Sequence, residues 1–156
     1  MAFEPDAELA HSIEAAAERN GLENVELRRI AVWSSPGSLP FTPHAESPEG
    51  FHGSVDADGT RSVPATTLDV ELTAGPAPDL VKIDVEGAEE EVLNGAKHLL
   101  QEVRPTILCE VHVTRFGRPG RLEAIRHQLV SAGYEVTQLP DHGRSTIHLL
   151  ARRSQV

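Results

Sequence analysis

The chain has 156 residues, enough to bury the core of one ordinary domain. Its 14 Lys+Arg against 24 Asp+Glu give a formal charge of −10, which disfavours a basic face for nucleic acid. One cysteine, Cys109, forbids an intrachain disulfide, and no apolar run reaches the ~18–20 residues a membrane helix needs. The N-terminus, Met1-Ala2-Phe3-Glu4-Pro5-Asp6, has no basic stretch before an apolar core, so it does not read as a signal peptide. The expectation is one cytoplasmic domain with neither nucleic-acid nor membrane partners.

After the short apolar start, Ala7, Leu9, Ala10, Ile13, Ala16 and Ala17 recur at helical spacing up to Asn20-Gly21. Asp6 reads as the N-cap, with Glu8 in the first turn and Gly21 at the C-terminal stop. Residues 25–32 alternate and then turn apolar, as a strand does. Residues 34–59 are rich in Ser, Pro, Gly and His and read as a long excursion with short strand pieces. Residues 79–84 form a strand, and a helix is expected over residues 88–102 with Ala88, Val92, Leu93, Ala96, Leu99 and Leu100 on one face.

A buried strand at residues 106–112 follows Pro105, and a helix carrying Leu122, Ile125 and Leu129 follows Gly117-Arg118-Pro119-Gly120. Residues 134–139 and 146–151 then read as a hairpin around Asp141-His142-Gly143. Strand–helix alternation of this kind gives an α/β fold with a mostly parallel, doubly wound sheet and an antiparallel C-terminal edge hairpin. Residues 80–84 and 106–111 are expected to be adjacent parallel strands buried on both faces.

In such sheets ligands bind beyond the carboxyl ends of strands. Three such ends carry polar residues: Glu4 after Phe3, Asp84 and Glu86 after Ile83, and Glu110 with His112 around Val111. Glu4 could accept both hydroxyls of a ribose, or simply favour the positive end of the following helix. Asp84 stands on the strand side of its turn, facing the crevice, whereas Glu89, Glu90 and Glu91 read as helix-start acids. Glu110 and His112 share one side of their strand, as a general base with its orienting carboxylate or as a pair closing the sheet edge. Asp84, Glu86, Glu110 and His112 would also pass as metal ligands, but their spacing is not tight and no metal is expected.

The stretch Asp79-Leu80-Val81-Lys82-Ile83-Asp84-Val85-Glu86-Gly87-Ala88-Glu89 carries more than chemistry. With Val92-Leu93, Gly95-Ala96, Arg104-Pro105 and Glu110-Val111-His112, it resembles the FkbM-type methyltransferase family. Phe3-Glu4-Pro5, the segment Asn20-Gly21-Leu22-Glu23-Asn24-Val25, Val63-Pro64 and Thr66-Thr67-Leu68-Asp69 agree, over about residues 3–134. The resemblance implies a Rossmann-like domain that uses S-adenosylmethionine to methylate hydroxyls of sugars, polyketides or other small molecules. By position, Glu4 would hold the cofactor ribose, and a turn at Ala31-Val32 would lie near the adenine. Asp84 would face the methionine end and the methyl group, with Asp84, Glu86, Glu110 and His112 as candidates for base or acceptor positioning.

Members of that family begin with a strand and a glycine-rich Asp-x-Gly-x-x-x-Gly loop ahead of the Phe-Glu-Pro strand. This sequence starts within that second strand and contains no Gly-x-Gly. The resemblance therefore implies one N-terminally truncated domain over residues 1–156, lacking its first strand and that strand's helix. An open sheet edge in it could take a partner chain or a second copy. The alternatives are a non-catalytic remnant binding a partner there, and, more distantly, a metal-dependent hydrolase. Losing several backbone hydrogen bonds, at about 0.5–1.5 kcal/mol each, moves micromolar binding toward millimolar. Calorimetric titration of the 156-residue chain with S-adenosylmethionine is expected to show that weak binding, and low-micromolar affinity would refute it.

Overall fold

The computed structural model describes residues 1–47, 53–55, 57–113, 120–140 and 146–154. They divide into two compact units, Met1–Thr66 and Thr67–Val156.

The first unit runs β1 (Ala2–Phe3), α1 (Ala7–Arg19), β2 (Leu27–Arg28), β3 (Ala31–Val32), β4 (Gly37–Thr42), β5 (Ser54–Val55) and β6 (Arg61–Thr66). Helix α1 starts where expected, because the Asp6 carboxylate accepts the backbone N–H groups of Glu8 and Leu9 at 2.9 and 3.3 Å. It stops at Gly21, whose φ of +63° lets the Gly21 and Leu22 N–H groups return to the carbonyls of Glu18 and Ala17. The strand expected over residues 25–32 is two pieces in two sheets. β2 pairs in parallel with β1, and β3 pairs in parallel with β6.

Strand β6, unrecognised in the sequence, is the centre of the larger sheet, ordered β3-β6-β4-β5. Its alternation buries Val63 and Ala65, which pack with Ala31 and Phe41 against Trp33, Leu39 and Val55. The excursion at residues 34–59 thus contributes regular structure, β4 and β5, antiparallel to their neighbours. Gly59 lies so close to β4 that a Cβ would overlap the Phe41 nitrogen and the Pro40 carbonyl carbon. Backbone cannot yield there as a side chain can. Gly59→Ala is expected to cost about 1–3 kcal/mol, the range of an overpacked site, read as a lower urea midpoint.

The second unit runs α2 (Leu68–Glu71), β7 (Leu80–Ile83), α3 (Glu89–Asn94), β8 (Thr106–His112), α4 (Arg121–Ser131), β9 (Tyr134–Gln138) and β10 (Thr146–Arg153). The sheet order is β7-β8-β10-β9. β7 and β8 are parallel neighbours, with Leu80 opposite Thr106 and Ile83 opposite Cys109. The C-terminal hairpin is antiparallel as expected, but β10 inserts between β8 and β9, which leaves β9 at the edge. The turns at residues 114–119 and 141–145 lie outside the described residues.

Three expectations need correction. Among the described residues β1 and β2 form a parallel pair, but each four-stranded sheet is mixed, with one parallel and two antiparallel pairings, so neither is mostly parallel. β7 is not buried on both faces: Leu80 is 58 % exposed and Lys82 is exposed, alternate residues that share one face, so that face of β7 is open among the described residues. The helix expected over residues 88–102 is interrupted at Gly95. Asp69 accepts the N–H groups of His98 and Leu99, both at 2.9 Å, and so starts a second, wider turn at Leu99–Val103. Leu93, Leu99, Ile107, Ile125, Leu129 and Leu149 fill the core of this unit.

Candidate functional site

The sharpest local feature of the second unit is the turn that follows β7. Val85–Ala88 closes with an Ala88 N–H to Val85 carbonyl bond of 3.2 Å, and its two central residues, Glu86 and Gly87, have φ of +50° and +98°. Glycine adopts this freely; Glu86 does so at a cost on the order of 1 kcal/mol. The strained residue lies at the cluster: Glu86 Oε2 is 3.2 Å from His112 Nε2.

His112 ends β8 and is only 6 % exposed. Its other ring nitrogen, Nδ1, lies 2.7 Å from Glu89 Oε1, and the same oxygen accepts the Gly87 N–H at 2.9 Å. Glu89 is fully buried. Its second oxygen is 3.7 Å from Nη1 of the buried Arg121, which also donates to the His112 carbonyl at 3.3 Å. Burial works against a charged His112, but the Glu89 hydrogen bond and the charges of Glu86, Glu89 and Asp84 outweigh it and raise the imidazole above its ordinary value.

Asp84 is exposed at the end of β7, where its Oδ2 accepts from Lys82 Nζ at 2.7 Å. Glu110 faces the neighbouring strand, with its Oε2 3.2 Å from His148 Nε2. Asp84, Glu110 and His112 each bring one ligand atom within 4.8 Å of the others. The cluster named from the sequence is therefore assembled, and it is tighter than the sequence spacing suggests. Its pairing differs, since His112 is oriented by Glu89 and not by Glu110. Glu89, which reads in the sequence as a helix-start acid, is instead the buried partner of that histidine. Cys109, on the opposite face of β8, is buried; that burial and the carboxylates of Glu89, Asp84 and Glu110 push its thiol far up, so it is no nucleophile.

In the first unit Glu4 follows β1, held by its N–H to the Arg28 carbonyl at 3.0 Å. Its Oε1 accepts the Asp6 N–H at 2.7 Å, and partial burial raises its carboxyl against that bond. The expected turn at Ala31-Val32 is instead strand β3. Ala31 is 4 % exposed and packs in the sheet core, so its side chain is spent on packing, while Val32 is half-buried.

Asp6 does more than cap α1: its Oδ2 also takes the N–H of His44 at 2.8 Å and faces His44 Nδ1 at 2.9 Å. Burial opposes this carboxylate, yet the His44, Glu8 and Leu9 donors hold its pKa below the usual range. A lowered folded pKa gives stability that is present above the unfolded value and lost as pH falls through the folded one. Asp6→Ala is expected to cost about 2 kcal/mol and to flatten this acid loss, measurable by urea unfolding between neutral and acid pH.

Residues 1–136 match the methyltransferase FkbM domain. The chain belongs to the FkbM methyltransferase family. It is 32% identical over 114 residues to the hexuronic acid methyltransferase AglP of Haloferax volcanii, covering 72% of this chain and 46% of that protein. Its fold is similar to the crystal structure of methyltransferase FkbM from Methylobacillus flagellatus KT, with a TM-score of 0.70 at 16% identity, over 96% of this chain and 35% of the other. The chain thus spans less than half the length of either protein. Among the described residues no helix is long and apolar enough to cross a membrane.

Proposed function

We propose that this chain is the methyl-transfer region of an S-adenosylmethionine-dependent O-methyltransferase acting on a small-molecule hydroxyl, with a sugar as the favoured acceptor. The observation that carries it is the Asp84, Glu86, Glu110 and His112 cluster with its buried Glu89 partner. Similarity to a hexuronic acid methyltransferase favours the sugar over a polyketide.

Each unit, taken by itself, offers groups whose chemistry suits part of the cofactor. Glu4 has one oxygen engaged by a backbone N–H, and the other carries no hydrogen bond among the described residues, so it can accept from a ribose diol. Asp84 already binds an ammonium, that of Lys82, which is the chemistry its role at the methionine end requires. Val32 keeps a partly exposed side chain for an adenine; Ala31 offers only its backbone. S-adenosylmethionine supplies a methyl group activated on a sulfonium.

Although burial opposes its charge, the Glu89 hydrogen bond and the neighbouring carboxylates raise His112, and its place in the cluster makes it the candidate base for the acceptor hydroxyl, while Glu86 and Glu110 can accept hydrogen bonds from neighbouring hydroxyls. Holding oxygen and methyl in line can supply several kcal/mol of the barrier. The test is isotopic methyl transfer from S-adenosylmethionine to uronic acids, neutral sugars and polyketide alcohols, read by mass spectrometry. Label in a methyl ether is the expected product. Label confined to a carboxyl ester would overturn the hydroxyl reading, and no transfer by the protein in its longest natural form would overturn the reaction.

A further inference from the structure

We infer that Glu89 is the positioning residue of the candidate base: it keeps the proton on His112 Nδ1 and leaves Nε2 as the nitrogen that exchanges a proton with a bound hydroxyl. The base role rests on the proposed reaction; the placement of the proton rests on geometry alone.

Both ring nitrogens face a carboxylate, so the charged ring can donate to both, at 2.7 Å to Glu89 and 3.2 Å to Glu86. On losing one proton the ring must abandon one of them. The two choices are unequal. Glu89 is fully buried in a fixed frame, with the Gly87 N–H on the same oxygen and Arg121 beside the other. Stripping a hydrogen bond from a carboxylate that water cannot reach costs more than stripping one from a group that can turn toward solvent. Glu86 retains 13 % exposure, sits in a turn and makes the longer contact. The proton is therefore lost from Nε2, and the neutral ring is the Nδ1–H form. A buried carboxylate that selects a tautomer by taking the far N–H of an imidazole acts through that imidazole and touches no substrate. In the reaction the acceptor's O–H proton passes to Nε2, and the resulting imidazolium charge is met by Glu89 and Glu86. Glu110 cannot fill this orienting role, because its carboxylate is turned to His148.

The test is a long-range proton–nitrogen correlation spectrum of the protein labelled with 15N-histidine, taken at a pH where the ring is neutral. His112 is assigned by its loss in His112→Gln. The expected result is Nδ1 resonating as a protonated nitrogen and Nε2 as an unprotonated one, the reverse of the form free histidine prefers in water. Glu89→Gln keeps an oxygen that can accept from Nδ1 and is expected to keep this tautomer. Glu89→Leu is expected to revert to Nε2–H. An Nε2–H ring in the unmutated protein, or an Nδ1–H ring that survives in Glu89→Leu, would overturn the assignment. Should Glu89→Leu fail to fold, the spectrum of the unmutated protein decides alone. A ring held as Nδ1–H in a protein that transfers no methyl group would support the positioning and defeat the proposed reaction.

Discussion

His112→Ala is expected to destabilise the protein by about 3–5 kcal/mol, far above the cost of losing one exposed hydrogen bond. The loss comes from what remains behind. Glu89 would stay buried with its 2.7 Å partner gone, and the Gly87 N–H and an Arg121 guanidinium at 3.7 Å compensate only in part. Removing both charges should therefore cost less than the sum of the two single changes, so the double variant His112→Ala/Glu89→Leu tests the account directly. Urea midpoints of the four proteins measured at constant slope supply the cycle.

The pH dependence has a definite sign. The raised folded pKa of His112 means its contribution is fully present below the unfolded pKa and declines as pH rises through the folded one. The gap between the unmutated protein and His112→Ala should narrow on the alkaline side. A single-variant loss below about 1 kcal/mol would mean that water reaches Glu89 and the network is loose.

What the sequence revealed follows the range of the interactions involved. Helix α1 was legible end to end because its stop and start are local: Asp6 caps it two and three residues away, and Gly21 supplies the one conformation the exit needs. The pairing of β7 with β8 was legible because a helix-containing connection between two apolar runs has few alternatives. Strand β6 was not, since Pro64 and the flanking Arg61, Ser62 and Thr66 weaken its pattern and its partners β3 and β4 are far from it in the chain. The break at Gly95 was hidden for the same reason: its cause is Asp69, some thirty residues before the N–H groups it binds.

The site shows both sides of this. Asp84, Glu86, Glu110 and His112 stand beyond or at strand ends, where periodicity alone places them. Glu89 looks like a solvated acid in the sequence because it opens a run of three acids at a helix start, where charge is ordinarily solvated. A signal was nonetheless present. Glu89 precedes Val92, Leu93 and Ala96 by three, four and seven residues, so it belongs to the buried face of that helix. A carboxylate on an apolar face needs a partner, and the nearby histidine of the next strand was the one to seek.

In a form of the protein extended to include the glycine-rich loop, Asp84→Asn is expected to lower methyl transfer by about 100-fold, close to 2.7 kcal/mol of barrier, while folding changes by less than about 0.5 kcal/mol. The stability half follows from what Asp84 touches. It is exposed, and among the described residues its carboxylate is engaged only by Lys82, an exposed pair of the kind that contributes little. The activity half follows from its place immediately after β7, where a carboxylate has no packing duty and is free to hold a cationic group. Asparagine keeps the size and one acceptor oxygen but loses the charge, so a large drop would report electrostatics and not shape. Initial rates at saturating acceptor, set beside urea midpoints of the same two proteins, separate the two halves. Asn at this position with undiminished transfer would reduce Asp84 to the partner of Lys82. A fall in stability matching the fall in rate would mean that the residue supports the fold, and the methionine-end role would pass to the remaining carboxylates of the cluster.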